Sequence, residues 1–173
     1  RVVIAADDPE IVRAARGFGA EVVITRVDHP NGTSRLAEAA ALLALAPDDV
    51  VVNVQGDEPE IEPDVIDAAV GALRHAGDPV ATVASPLAES DDPDDPSLVK
   101  VVLDSSSRAL YFSRSCIPFV RDASGPGARR AACLKHVGLY VYRRDFLDVY
   151  VKLEPTPLER AESLEQLRVL ENG

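Results

Sequence analysis

Val50-Val51-Val52-Asn53-Val54-Gln55-Gly56-Asp57-Glu58-Pro59 is the stretch on which the fold turns. A near-continuous valine run predicts a strand buried on both faces, as in a parallel sheet, and it is read here as the sheet's centre. The run breaks at Gln55-Gly56-Asp57, and Pro63 then opens a helix with Val65, Ile66, Ala69, Val70 and Leu73 at inward spacing. Strand, tight turn and amphipathic helix together make part of a βαβ unit. Ligands in open α/β sheets sit beyond the carboxyl ends of strands, so this turn is the first place to look for chemistry.

The same alternation extends outward in both directions. Towards the start, residues 2–6 and 22–25 read as short strands. Between them Asp8 caps a helix with Pro9 at its first position, and Gly17 and Gly19 end it. Asn31-Gly32-Thr33 opens a second helix over residues 35–46. Towards the end, residues 80–84 are another strand. Val99, Val101 and Leu103 then alternate with Leu98, Lys100 and Val102, and Leu110-Tyr111-Phe112 follows a polar turn, which predicts antiparallel strands added to the parallel sheet. A strand over residues 136–142, a short helix over 145–151 and one last helix over 158–170 complete the pattern. No repeat or long linker divides it, so residues 1–173 read as a single α/β domain with a mixed sheet.

Composition narrows the function. The chain of 173 residues carries a formal net charge of −11, which argues against nucleic acid or an anionic membrane as partner. No apolar stretch approaches the ~18 residues of a membrane span, and no secretory signal is visible. Much of the acid is local, in Glu89, Asp91, Asp92, Asp94 and Asp95, which read as a solvated loop. Cys116 and Cys133 lack the spacing of a zinc site or a CxxC pair and read as small buried residues in a reducing cytoplasm. The sequence has no methionine, even at its start, and is read as a fragment.

Five clusters could carry chemistry. Asp57 offers a hard oxygen ligand suited to magnesium, or merely caps the following helix. Asn31-Gly32-Thr33-Ser34-Arg35 is either an anion site at a helix start or an ordinary cap with a surface arginine. Ser113-Arg114, Lys135-His136 with Tyr140, and Glu165-Gln166 with Arg168 each read equally well as solvated polar groups.

The order of motifs adds what no single cluster gives. Asn53-Val54-Gln55-Gly56-Asp57-Glu58-Pro59 resembles the NVQGDEP segment of 3-deoxy-manno-octulosonate (Kdo) cytidylyltransferases, the CMP-Kdo synthetases. Residues 31–38 resemble their SGTERLAE, residues 99–104 their VKVVLD, and residues 109–114 their ALYFSR. Ile117-Pro118, residues 135–140, residues 157–159 and residues 164–170 are similar to their IP, RHLGIY, SPLE and LEQLRVL. The match is colinear over almost the whole chain. Asn31 and Ser34 depart from the family's serine and glutamate. The family's R-x-P-G-K-type phosphate loop and its V-D-T-P-E-D-like metal segment are not found, so the domain reads as incomplete at both ends, and the isolated piece is expected to turn over CTP poorly.

The resemblance implies a Rossmann-like, three-layer nucleotidyltransferase fold of the nucleotide-diphospho-sugar transferase type. It implies transfer of CMP from CTP to Kdo with loss of pyrophosphate, for lipopolysaccharide synthesis, in a cytoplasmic homodimer. Alternatives are a cytidylyltransferase for an 8-amino Kdo analogue or a sialic acid, or a non-catalytic nucleotide-binding or dimerisation remnant. By the same carry-over, Asp57, Arg35 and Arg114 are catalytic and Asp57 holds Mg2+. Gly32 and Thr33 join Arg35 on the cytidine or its phosphates, and Gln55 contacts the sugar or the nucleotide. Arg114 and His136 suit the sugar's carboxylate and hydroxyls, while Tyr140, Glu165 and Gln166 suit its hydroxyls. With so acidic a chain, Arg35, Arg114, Lys135 and His136 are expected to converge on the side of Asp57. The strands from Leu98 onward, with Tyr111, Phe112 and Phe119, are the implied dimer region.

Overall fold

Local signals place the elements of the computed structural model, which describes residues 1–56, 58, 60–122 and 125–173, with Pro126 by its backbone alone. In chain order these are β1 (Ile4–Ala6), α1 (Pro9–Gly17), β2 (Val22–Ile24), α2 (Gly32–Leu42), β3 (Val50–Val54), α3 (Pro63–Ala76) and β4 (Val80–Pro86). There follow β5 (Lys100–Leu103), β6 (Ala109–Ser113), α4 (Pro126–Ala132), β7 (Leu134–Arg143), α5 (Arg144–Tyr150), α6 (Pro157–Glu162) and α7 (Gln166–Glu171). The Asp8 carboxylate accepts from the amides of Glu10 and Ile11, which satisfies two of the free donors that open α1. Gly19, at φ +84°, supplies the left-handed turn that stops the helix.

The described residues group into two compact units. The first comprises Arg1–Asn53, Ile66–Ala81 and Tyr140–Leu153. In it β1 and β2 pair in parallel, Ile4 opposite Val22 and Ala6 opposite Ile24. Its core joins Ala37 and Ala40 of α2 to Tyr140, Tyr142 and Leu147, with Val51 and Val80 against them. The second comprises Val54–Val65, Thr82–Leu139 and Glu154–Gly173. In it β5 pairs antiparallel with β6, Lys100 opposite Ser113, and with β7, Lys100 opposite Lys135. Its core is Val101, Phe112, Leu164 and Leu167.

The mixed parallel and antiparallel pairing expected from the sequence is present, with three differences. Strand pairing runs β3-β7-β5-β6 with β4 also on β7, so β7 rather than β3 carries the most pairings. Its ten residues include four consecutive buried ones, Tyr140 to Tyr142 among them and Leu139 first, whereas β3 is only half-buried. A valine run reports burial propensity, not the number of neighbours. The last helix is two: Ser163 adopts φ +54° between α6 and α7 and breaks the expected span over 158–170. The helix α4 has no counterpart in the sequence reading. Phe112 lies 3% exposed in its own unit's core, so its apolar character is explained without a second copy, unlike Phe119 at 87%.

Candidate functional site

In the first unit the turn into α2 is built around Asn31, whose side chain accepts from the Ser34 amide and whose Nδ2 donates to Tyr150 Oη at 3.0 Å. Asn31 thus caps as the family's serine would, and Gly32 begins the helix. Thr33 is 1% exposed and shares a hydrogen bond of 3.1 Å with Tyr142 Oη. Arg35 reaches back over the carboxyl ends of β1 and β2. Its guanidinium donates to Asp7 Oδ2 at 2.9 Å and Thr25 Oγ1 at 2.7 Å. The Arg35 hydrogen bond holds the Asp7 carboxyl below its ordinary range. Glu38, one turn on, is bound by His29 and by the Arg26 amide, and these two contacts lower its pKa likewise. Tyr140 is buried in the core and stacks on Tyr142 with centroids 5.9 Å apart.

In the second unit Gln55 and Glu58 lie over Gly138. A Cβ on that glycine would stand 3.4 Å from Gln55 Cγ and 3.9 Å from Glu58 Oε1. A Cβ there would make ordinary van der Waals contact with the polar loop. Asp57, the catalytic and metal-ligand expectation, lies outside the described residues. Lys135 donates to Asp91 at 3.4 Å. His136 packs edge-on against Phe112, with centroids 5.0 Å apart. Thr82 Oγ1 donates to the Leu139 carbonyl at 2.7 Å, so it must accept from His136 Nε2 at 2.8 Å, which fixes the proton on that nitrogen. Burial pushes His136 down to about 4, so the ring is neutral at pH 7. It remains able to recognise hydroxyls, without the charge expected of it.

Arg114 spends its fork on backbone oxygens: Glu162 at 2.7 Å, Pro96 at 2.9 Å and Ser163 at 3.3 Å. The Glu162 carboxylate returns the contact, accepting from Ser113 Oγ at 2.6 Å and the Arg114 amide at 2.9 Å. Burial raises the Glu162 pKa, but Ser113, Arg114 and Tyr111 outweigh it and the carboxyl lies below its ordinary range. Beneath this latch Lys100 is fully buried, and its three N–H groups meet three carbonyls, Asp95 at 2.9 Å and Leu98 and Arg114 at 2.6 Å each. Glu165 precedes α7 and Gln166, 9% exposed, begins it. Arg168 binds Glu159 at 2.8 Å, both nearly buried.

Sequence reasoning missed Lys100 and Glu162. A lysine at an alternating position inside the apolar run of β5 was the available signal for the first. Nothing local marks the second. Three of the cations expected to converge each have partners within their own unit: Asp7 for Arg35, carbonyls for Arg114 and Asp91 for Lys135.

A family model described as Cytidylyltransferase matches residues 1–173. The chain belongs to the cytidylyltransferase family. It is 51% identical over 176 residues to a 3-deoxy-manno-octulosonate cytidylyltransferase of Syntrophobacter fumaroxidans, covering 100% of this chain and 68% of that protein. It is 49% identical over 177 residues to one of Neisseria meningitidis serogroup C, covering 100% and 70% respectively. Among solved structures it is similar to a CMP:2-keto-3-deoxy-manno-octonic acid synthetase complexed with CTP, at TM-score 0.88 and 41% identity, covering 100% of this chain and 68% of that one. The chain thus has the nucleotidyltransferase fold of a cytidylyltransferase. Among the described residues no helix is long and apolar enough to cross a membrane.

Proposed function

We propose that this chain activates Kdo with CTP. The anomeric hydroxyl of the sugar acid attacks the α-phosphate, pyrophosphate leaves, and CMP-Kdo forms. The observation that carries the reading is the 51% identity over the full chain to a 3-deoxy-manno-octulosonate cytidylyltransferase. Such a transfer is mainly positioning and charge neutralisation around an in-line displacement. The α2 turn, with Gly32 and Arg35 beside the ends of β1 and β2, suits the nucleotide's anionic end. Neutral His136, held by Thr82, suits a sugar hydroxyl. Mg2+ keeps most of its water and takes one or two carboxylates plus substrate phosphates. The loop carrying Asp57 and the described Glu58 offers that donor type, and Asp57 is the residue assigned to the ion. When bound, the ion supplies charge neutralisation at the phosphate oxygens.

The enzyme is further assigned to the cytoplasm, where CTP is made, and to a homodimer. Exposed Leu110 and Phe119 of the second unit support the latter, at 61% and 87%. The test is pyrophosphate release from CTP with Mg2+, comparing Kdo with sialic acid. Turnover with Kdo alone, abolished by Asp57→Ala, is expected. Turnover with sialic acid, or with neither, overturns the assignment.

A further inference from the structure

We propose that Cys116 and Cys133 form a reversible dithiol–disulfide pair, a site of oxidation by hydroperoxides. Their Sγ atoms lie 3.5 Å apart, and they are the chain's two cysteines. The sheet lays β5 between β6 and β7, with Lys100 opposite both Ser113 and Lys135, and the residues just outside the two strands bring the sulfurs together. Cys116 lies three residues beyond the end of β6 and Cys133 one residue before the start of β7. The Lys100 ammonium ties the Arg114 carbonyl into the same frame at 2.6 Å. Bond formation has to close this gap from 3.5 Å to the ~2.0 Å of an S–S bond.

The two sulfurs are unequal. Cys133 is 1% exposed, and burial, followed by its contact with Cys116, pushes its thiol up to about 11. Cys116 is half-buried. The Arg129 guanidinium pairs with Asp94, and the nearby Cys116 sulfur joins Asp94 in raising its pKa. A partly exposed sulfur beside a guanidinium is the one a peroxide attacks. In the first step Cys116–SH and R–OOH give Cys116–SOH and R–OH. In the second the Cys133 sulfur displaces that hydroxyl, the S–S bond forms, and the Cys133 proton leaves with the hydroxyl as water. No other cysteine in the chain competes for the sulfenic acid. The bond closes a covalent loop over residues 117–132, anchored beside Arg114 and Lys135. A thiol reductant reopens it.

The experiment treats the reduced protein with stoichiometric hydrogen peroxide under native conditions, quenches with an alkylating agent, and maps peptides without reduction. Loss of both titratable thiols, a mass lower by two hydrogens, a Cys116–Cys133 linked peptide and full recovery with dithiothreitol are expected. Cys116→Ser should leave Cys133 unoxidised at the same dose, and Cys133→Ser should hold oxygen or an intermolecular link on Cys116. The wild-type map decides the matter even if a variant fails to fold. Two intact thiols, or added oxygen on Cys116 with no linked peptide, overturns the proposal.

Discussion

Arg35, at a helix start, and Arg114, just past a strand, are both expected from the family resemblance to be catalytic. Their surroundings differ in kind. Arg35 is bound mainly by side chains, the part-exposed Asp7 carboxylate and the buried Thr25 hydroxyl, with a longer contact of 3.4 Å to the Arg26 carbonyl. A substrate anion offers the guanidinium a contact comparable to that of Asp7. Arg114 is bound by three backbone carbonyls whose positions are set by α6 and the acidic loop. Releasing it would lose the part-buried bond to Glu162 and untie Pro96 and Ser163 from the end of β6. Arg35 is therefore the arginine that a ligand can recruit, and Arg114 the one that holds the end of β6 in place.

The largest effect should come from the foundation of the second region. Lys100→Met keeps the volume but strips three part-buried carbonyls of their donor, and should lower stability by ~4 kcal/mol in urea unfolding. An unchanged midpoint would dissolve the distinction between the regions. Next comes His136. An unfolded histidine takes its proton near 6.5 and this one only near 4, so between those values protonation favours unfolding. Its contribution is fully present above pH 6.5 and falls as the pH drops towards 4, by ~3 kcal/mol in all. His136→Gln should flatten the stability profile in that window, and a slope equal to wild type would refute the buried, neutral ring. Arg114→Lys keeps charge but not the fork, and should cost about 1–2 kcal/mol, read from the same denaturation curves. The smallest change in stability should follow Arg35→Lys, under about 1 kcal/mol, since its ion pair is part-exposed. Its mark should be kinetic instead: roughly a tenfold rise in KM for CTP, worth about 1.4 kcal/mol of binding. Equal kinetic losses in the Arg114 and Arg35 variants, with equal stability, would erase the contrast.

Legibility in the sequence followed distance along the chain. Asp8 with Pro9, the start of α2 at Asn31, and the strand at Val50–Val54 were all readable, because each is written in neighbouring residues. The break at Ser163 was not, since helix-favouring residues, Leu158 to Glu162 and Leu164 to Leu170, stand on both sides of it. Of the candidate site, the residue types were legible and their partners were not. Thr33, expected beside the nucleotide, has a partner in Tyr142, 109 residues on. Glu162 meets Arg114 across 48 residues.

By itself the sequence determined the alternating α/β pattern, the antiparallel additions around β5, and membership of the cytidylyltransferase family. Those rest on local spacing and on motifs in a fixed order. Tertiary structure alone decided which polar groups are already satisfied. Lys100 became a buried ammonium capped by three carbonyls, His136 a neutral donor, and the two cysteines neighbours. The physical reason is that desolvation and hydrogen bonding act through space, between residues that the chain brings together only when the sheet has formed.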